Sequence, residues 1–429
     1  MAAGLQAVRG MNDVLPDEAA VWQRFEDTAR NVFERYGYRN LRVPLVEPTP
    51  LYVRSIGEHT DVVEREMYTF EDKLNGESLT LRPEATAGIV RAAIEHNLAY
   101  ERPLRVWTGG AMFRHERPQK GRYRQFHQLD IEAIGFPGPD VDAEQIVMLA
   151  RLWRALELSE LRLMINSIGD AGDRRAHREA LIAHFERHRD ALDDNAKRRL
   201  HANPLRILDS KHPPLHDVIA AAPRLLDHVG DAAREHFDGL RALLDDAGIA
   251  YTVDARLVRG LDYYNRTVFE WVTDALGAQG TVAGGGRYDG LFEELGGKPT
   301  PACGFAIGVE RMILLLDAHG KARATPPDAY VVHAGTKAAA VARHAAETLR
   351  DHGAAVVVNA GGGSFKSQMK RADASGARLA IIVGDDEVVS RTVAIKHLRE
   401  GGDQVAVPLD DLVARFAALN TTRDEYGSL

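Results

Sequence analysis

The stretch Phe113–Glu132, FRHERPQKGRYRQFHQLDIE, decides how the rest of the sequence is read. Val106 to Arg114 and Tyr123 to Ala133 are rich in residues that strands favour, and a loop of Arg, Lys, Gln, Pro and Gly joins them. The simplest reading is a long-looped antiparallel hairpin. Side chains alternate faces along a strand, so Arg124, Phe126, Gln128, Asp130 and Glu132 share one face of the second arm. At strand rise, Gln128 and Glu132 lie roughly 13 Å apart, enough to hold opposite ends of one small zwitterion. The loop carries Arg114, His115, Glu116, Arg117, Lys120, Arg122 and Arg124. Planar, fixed-charge forks at that density suit phosphate better than a folded core. An exposed, salt-bridged hairpin without chemistry is the bland alternative, but it leaves the alternation of polar with apolar residues unexplained.

The chain around this hairpin has 429 residues, too many for one ordinary core, so two or three domains are expected. A hydrophobic content of 45% with 27% charged residues is that of a soluble globular protein. The net charge of −8 argues against wholesale coating of nucleic acid, so any such contact must come from local patches. The single Cys303 excludes an intrachain disulfide and fits a reducing compartment; within PACGFAIG, with no activating base in sight, it reads as packing. No secretory signal or run of 18 apolar residues is visible, which points to the cytoplasm.

Upstream of the hairpin, residues 17–37 predict a helix. Asp17 caps it after Pro16, an apolar stripe runs from Trp22 through Phe25, Ala29, Val32 and Phe33 to Tyr36, and Gly37 stops it. YRNLRVPLVEP (38–48) reads as a strand ending in prolines. SLTLRPEAT (78–86) runs from a strand into the helical pattern TAGIVRAAIEHN, so Glu84 and Thr86 sit at the junction, where Glu84 also suits the helix dipole.

Downstream, from about Ser167 to Asp246, Ala, Arg, Asp, His and Leu recur at helical spacing. His184 and His188 stand one helical turn apart there. No HExxH or Cys/His set accompanies them, and Phe185 lies beside them, so partly buried or solvated histidines are expected rather than a metal site. LVRGLDYYNRTVFEWV (257–272) places Arg259, Tyr263 and Tyr264 before a strand at Thr267–Val272. In GTVAGGGRYDGL (280–291) the glycines let the backbone approach a ligand or permit a tight bend; the Lys-Ser/Thr ending of a P-loop is missing. CGFAIGVERMILLLD (303–317) reads as strand, glycine turn and helix, with Arg311 in the first turn. A cation there opposes the helix dipole and calls for an anion, either a nucleotide phosphate or a structural carboxylate. Residues 318–327 read as a linker. Alternating strand and helix patterns follow, which predict a small α/β domain with a largely parallel or mixed sheet. Its 12 basic residues against 13 acidic ones from Pro326 onward give no sign of an RNA binder.

These motifs together resemble one family. Phe113–Glu132 is similar to motif 2 of class II aminoacyl-tRNA synthetases in the form found in histidyl-tRNA synthetases, with the bacterial type the nearest fit. The helix at 17–37 with the Pro44 strand resembles motif 1, which builds the family's dimer interface, and the Arg311 segment resembles motif 3. LVRGLDYYNRTVFEWV resembles the string that sets histidyl-tRNA synthetases apart, and GGGSFKSQMKRAD resembles their anticodon-binding domain. PEAT, at 83–86, stands where the family reads PEGT, so Ala85 adds a methyl and restricts the backbone.

The resemblance covers nearly the whole chain. It implies an α+β catalytic domain over residues 1–325, an antiparallel sheet flanked by helices with a helical insertion at about 170–246. An α/β anticodon-binding domain would follow over 328–429. The implied reaction joins L-histidine to ATP, giving histidyl-adenylate and pyrophosphate, and then moves histidine to the 3' end of the histidine tRNA. Arg114 and Arg259 would contact the α-phosphate, Arg311 the γ-phosphate, and Glu116 and Arg122 would complete the ATP site, with Mg2+ bridging phosphates. Glu84, Ala85, Thr86 and Gln128 would hold the ammonium end of histidine, while Glu132 and Tyr264, supported by Tyr263 and Tyr288, would read its imidazole. Arg117 and Gln119 would meet the tRNA acceptor end. A cytoplasmic homodimer with no membrane segment is expected. The competing reading is a catalytically silent regulatory subunit of ATP phosphoribosyltransferase; such relatives generally lack the C-terminal domain and erode the ATP-binding arginines, both of which this chain keeps.

Overall fold

The computed structural model describes residues 5–318 and 326–420, apart from residues 59, 203, 209, 211 and 402. Most of the expected linker, residues 319–325, lies outside the described residues. The chain divides into two compact units, Met1–Arg323 and Ala324–Leu429.

In the first unit the strands, in chain order, are β1 (Arg39–Asn40), β2 (Val46–Pro48), β3 (Tyr68–Glu71), β4 (Ser78–Leu81), β5 (Leu104–Phe113) and β6 (Gln125–Ile134). They continue with β7 (Arg162–Ser167), β8 (Tyr251–Val253), β9 (Asn265–Val272), β10 (Thr281–Arg287) and β11 (Ala302–Gly308). Eight form one sheet in the order β1-β5-β6-β11-β10-β9-β7-β8, and β2-β4-β3 form a small separate one. The large sheet is antiparallel except at its two outer pairs, β1 with β5 and β7 with β8. The expected hairpin forms its second and third strands: β5 and β6 pair without a break from Leu104↔Ile134 to Phe113↔Gln125.

The helices of this unit are α1 (Pro16–Arg35), α2 (Thr49–Ile56), α3 (Thr86–Glu95), α4 (Pro139–Ala155), α5 (Ala171–Arg187), α6 (Asp194–Ala202), α7 (His216–Ala220), α8 (Asp231–Asp246), α9 (Leu291–Glu294) and α10 (Val309–Ala318). Two local expectations need correction. Asp17 does not cap α1. Leu15 is the N-cap, Pro16 opens the helix with its preset φ, and Asp17 sits inside the first turn. Residues 38–48 are not one strand: β1 joins the large sheet and β2 the small one, because Pro44 has no N–H to continue a ladder.

Strand β6 sorts its side chains by parity. Leu129, Ile131 and Ala133 enter a large apolar core with Phe25, Phe33, Leu149, Leu152, Leu240 and Leu315, contributed by α1, α4, α8 and α10. Fully burying a side chain of this kind is worth about 1.5–3 kcal/mol, so the helix-side face holds the sheet together. Gln128, Asp130 and Glu132 take the other face.

The helical stretch between β7 and β8 is not uniform. Leu181, Phe185, Leu192, Leu200, Ile207 and Leu215 form a small core of their own around α5 and α6, whereas α8 packs into the main core. His184 Nε2 bonds the Val218 carbonyl at 2.9 Å and His188 Nδ1 bonds the His184 carbonyl at 2.9 Å. In the second unit, β12 (Ala329–His333), β13 (Val356–Val358), β14 (Leu379–Val383), β15 (Thr392–His397) and β16 (Val405–Pro408) form a mixed sheet in the order β13-β12-β14-β15-β16. Helix α11 (Thr336–Asp351), α12 (Phe365–Ala374), α13 (Asp385–Ser390) and α14 (Leu412–Leu419) complete it, with the alanines of α11 packed on the apolar strands.

One buried ionic cluster fastens α4, α8 and β10 together. Arg287, fully buried, donates to both oxygens of Asp142, to Asp289 Oδ1 at 3.1 Å and to the carbonyls of Phe136 and Gly138 at 2.8 Å. His236 Nε2 meets Asp142 Oδ2 at 2.8 Å. Burial alone would raise the Asp142 carboxyl, but the His236 hydrogen bond and the Arg287 charge outweigh it and hold it at about 2. Arg287→Ala leaves that buried carboxylate to His236 alone and is expected to cost roughly 3–5 kcal/mol in urea unfolding. Because the folded value lies below the ordinary 3.8, the pair's contribution is fully present above that pH and is lost as pH falls toward 2. Acid titration of the wild type against the variant reads the Arg287 share of this, since the variant keeps only the part that His236 supports.

Candidate active site

A cavity of about 500 Å3 opens on the side of the large sheet to which Gln128 and Asp130 point. Glu84, Thr86, Arg114, Glu116, Arg122, Gln128, Asp130, Arg259, Tyr263, Tyr264, Tyr288 and Arg311 line it. Of the residues singled out from sequence, Ala85, Glu132, Arg117 and Gln119 are not among its walls.

At one end, the chain leaves β4 and enters α3. Glu84 Oε2 accepts from Thr86 N at 2.8 Å and Oε1 from Ala87 N at 2.9 Å, so its carboxylate caps α3 while facing the cavity. Burial raises its carboxyl, and the Ala87 and Thr86 donors counter part of that rise. Ala85 has φ −104, ordinary right-handed backbone, so the added methyl imposes no strain. Tyr263 OH reaches Glu84 Oε2 at 3.5 Å, and the Tyr263 ring packs 4.6 Å from Tyr264 and 5.6 Å from Tyr288.

Glu132 lies one layer behind. Thr86 Oγ1 donates to its Oε1 at 2.6 Å, Tyr288 OH donates to its Oε2, and no arginine pairs with it among the described residues. Burial pushes its carboxyl well up, against the pull of these two hydroxyls. Space for it comes from the neighbouring strand. Gly304 pairs with Glu132 across β11 and β6, and a Cβ there would fall 1.6 Å from Glu132 Oε2. Opposite Asp130 and Gln128 stand Ala306 and Gly308, so small residues clear the cavity floor.

Asp130, which was not singled out beyond its shared strand face, proves to be part of the site. Burial and the nearby Glu84 push its carboxyl up to about 8, against the pull of Arg82 and Arg114. Asp130 Oδ2, Gln128 Oε1 and Arg259 Nε are buried without hydrogen-bond partners. Leaving such groups unmatched costs about 1–3 kcal/mol each, so they suit a polar ligand that supplies the missing donors and acceptors. The parity of β6 was the signal for Asp130. Glu270 and Gly304 carried none: Gly304 meets Glu132 only through the pairing of β11 with β6, and Glu270 meets Arg259 only once the loop before β9 folds back on it.

Arginines converge on the rest of the cavity. Arg259 contacts Glu270 closely, and its guanidinium stands 5.7 Å over the Tyr264 ring. A Cβ on Gly284 would lie 2.8 Å from Arg259 Nη1, which accounts for one glycine of the Gly-rich run. That run is neither bend nor loop but the body of β10. Arg114 donates to the Pro83 carbonyl at 3.0 Å and lies 5.3 Å over Phe126. Arg311 donates to the carbonyls of Gly121 at 3.1 Å and Thr281 at 2.6 Å and to Gln279 Oε1 at 2.8 Å. Among the described residues no carboxylate pairs with Arg114 or Arg311. Burial lowers both, and Arg122 and Arg114 repel Arg311 further. Arg122 by contrast is paired with Glu116, whose carbonyl accepts from Arg124 Nε at 3.0 Å. Arg117 and Gln119 are exposed on the loop between β5 and β6. Among the described residues no group of three or more His, Cys, Asp or Glu side chains is placed to hold a metal ion.

Gly304→Ala tests whether the cleared floor matters. The new methyl cannot coexist with the Glu132 carboxylate, so the Thr86–Glu132–Tyr288 linkage must break. We expect a stability loss of about 1–3 kcal/mol by thermal unfolding, with Ala306→Gly as the milder control on the same face.

The family model described as histidyl-tRNA synthetase matches residues 10–312, and the model described as anticodon binding domain matches residues 328–419. A histidine–tRNA ligase from Bordetella avium is 62% identical over 92% of this chain and 92% of its own length. Those from Dechloromonas aromatica and Aromatoleum aromaticum are 60% and 58% identical, each over 99% of this chain and 100% and 97% of their own. The crystal structure of apo S. aureus histidyl-tRNA synthetase superposes with a TM-score of 0.80 at 35% identity, covering 96% of this chain and all of that one. A Bacillus halodurans protein described as an ATP phosphoribosyltransferase regulatory subunit/histidyl-tRNA synthetase is 21% identical with a TM-score of 0.64, over 86% of this chain and 97% of its own, and shares the fold. With a family model spanning most of the first unit and relatives near 60% identity along almost the whole length, this chain belongs to the histidyl-tRNA synthetase family.

Proposed function

We propose how this chain, a member of a family of histidine–tRNA ligases, carries out its reaction in the cavity described above. L-histidine and ATP bind side by side. The substrate carboxylate attacks the α-phosphorus, the bond to the departing pyrophosphate breaks, and histidyl-adenylate remains. A hydroxyl of the terminal adenosine of the histidine tRNA then attacks the activated carbonyl, and AMP leaves. The reading as a silent regulatory subunit is not favoured, since the relatives near 60% identity are named as ligases.

The chemistry needs no protein nucleophile. Two anions must meet, and cations fixed in a water-poor cavity lower that barrier without reorganising. Arg114 and Arg259 would face the α-phosphate, and Arg311 the γ-phosphate. The single observation that carries this reading is that Arg114 and Arg311 stand half-buried in the cavity, oriented by carbonyl and amide oxygens, with no carboxylate in ion-pair contact among the described residues. Glu116 and Arg122 would flank ATP as a neutral pair. The donor set does not fit a resident metal, so Mg2+ belongs to this reading only as the counter-ion that ATP brings, held by its phosphates.

Histidine would place its ammonium group among Glu84, Thr86, Gln128 and Asp130. An arriving cation favours the charged form of Asp130, whose carboxyl burial otherwise keeps near neutral. Tyr264 and Tyr288 would meet the imidazole, with Glu132 acting from one layer back by fixing the Thr86 and Tyr288 hydroxyls. Arg117 and Gln119, exposed on the hairpin loop, would meet the acceptor end of the tRNA, and the second unit its anticodon. The proposal includes a cytoplasmic homodimer joined through the motif 1 region, where Leu45, Val46 and Phe70 leave apolar surface exposed. No helix among the described residues is long and apolar enough to cross a membrane.

Histidine-dependent exchange of labelled pyrophosphate into ATP is the deciding assay. Arg259→Ala should cut it about 10²- to 10³-fold, the typical cost of one preorganised charge donor, while weakened histidine binding survives. Near-normal exchange in that variant would remove Arg259 from the phosphate site. Glu132→Gln keeps size but turns an amide toward one of two hydroxyl donors. Its histidine affinity should fall by about 1–3 kcal/mol with ATP affinity little changed, read by separate titrations of the two ligands.

A further inference from the structure

The loop that carries Tyr263 and Tyr264 into the cavity is not supported by the sheet alone. Its far side rests on the first turns of α5, the helix that opens the stretch between β7 and β8. Arg174 Nη1 donates to the Tyr264 carbonyl at 2.8 Å and to the Gly169 carbonyl at 3.4 Å. Asp170, the N-cap of α5, forms a reciprocal capping box with Asp173. The Asp170 carboxylate also takes both Nε and Nη2 of Arg266, at 3.0 and 3.1 Å, and Nδ2 of Asn265 at 3.1 Å.

These contacts hold an unfavourable backbone in place. Arg266 has φ +49, a left-handed conformation that costs a residue with a Cβ about 1–2 kcal/mol. Its N–H donates to the Gly169 carbonyl at 2.9 Å, and its own carbonyl accepts from Ile168 N at 2.8 Å. The same network reaches a second cavity tyrosine. Asn265 Nδ2 donates to Asp289 Oδ2 at 3.2 Å, and Asp289 N donates back to Asn265 Oδ1 at 2.9 Å, immediately after Tyr288. The start of α5 is thereby joined to the backbones next to Tyr264 and Tyr288, two of the hydroxyl-bearing side chains that line the cavity.

We propose that Asp170 and Arg174 are positioning residues for the amino-acid half of the reaction, acting through the main chain of Tyr264–Arg266 and through Asn265 on Asp289. This rests on the reading of that cavity as the histidine site. Neither residue lines the cavity, so neither touches substrate. Each restrains where a tyrosine hydroxyl stands, and a displacement of either hydroxyl weakens recognition of a planar heterocycle before it disturbs the arginines at the phosphate end.

The test is pyrophosphate exchange with the full chain, varying histidine and ATP separately. Arg174→Ala should raise the histidine KM about 5- to 10-fold, the effect of one lost hydrogen bond, with the ATP KM changed less than about twofold. Arg174→Lys, which keeps a cationic donor, should recover most of the loss, and Asp170→Asn should show the same histidine-selective split. Where Arg174→Ala does not fold, Arg174→Gln replaces it with the same split expected. An unchanged histidine KM alongside a lower melting midpoint, or parallel rises in both KM values, would overturn the assignment and leave a purely structural contact. Absence of histidine-dependent exchange in the wild type would instead overturn the reading of the cavity, and this inference with it.

Discussion

An interior strand, part-buried at Gln128 and fully buried from Leu129 on, yet carrying Gln128, Asp130 and Glu132 on one face, imposes its terms on everything around it. Three consecutive polar groups on one side of β6 cannot be left in an apolar layer, because each unmatched donor or acceptor costs as much as the hydrogen bond it lacks. The structure meets that demand in two ways. Glu132, deepest of the three, is satisfied internally by Thr86 and Tyr288. Gln128 and Asp130 are given a cavity instead. Both solutions require the adjacent strand to offer little or no side chain, and Gly304, Ala306 and Gly308 meet that requirement.

Charge is distributed along the cavity with a similar logic. Two arginines that tie elements of the fold together do so through carboxylates: Arg287 holds Asp142, and Arg266 holds Asp170. Arg122 also has one, and it sits on a loop whose position the pair with Glu116 fixes. Arg114 and Arg311 depart from this pattern. Their guanidiniums are oriented by carbonyl and amide oxygens, which fix geometry without neutralising charge. Keeping several cations together in a partly buried space is unfavourable in the ligand-free protein. That cost is what a polyanionic ligand relieves on binding, and it makes the cavity more complementary to a charge-accumulating state than to the neutral solvent.

Much of this was readable in the primary sequence, and the reasons are local. The hairpin, the parity of β6, the strand–turn–helix of the Arg311 segment and the alternation in the second unit all rest on short-range periodicity. The family resemblance supplied roles for residues that periodicity could only place. What was missed depends on contacts between distant segments. Asp17 looked like a cap because Pro16 precedes it, but proline's fixed φ lets it start the helix itself. Residues 38–48 looked like one strand until Pro44 divided them between two sheets. Of the two readings open for the glycines of 284–286, close approach to a ligand or a tight bend, the bend does not hold: they are strand residues, and Gly284 makes room for Arg259 at the cavity wall. Nothing in a local window reveals that Glu270 would stand against Arg259, or that Glu132 would be sealed behind Tyr288.

The two faces of β6 therefore carry separable burdens. Leu129, Ile131 and Ala133 join the apolar core with α1, α4, α8 and α10, and their contribution is measured in stability alone. Gln128, Asp130 and Glu132 contribute little apolar burial and are retained in spite of the desolvation they suffer. A shift of the strand by one residue would exchange the two sets and lose both functions at once. The unbroken pairing of β6 with β5 on one side and with β11 on the other prevents that slip. The register of one hairpin, held from both edges, is what lets an energetically awkward strand give one face to the core and the other to a polar cavity.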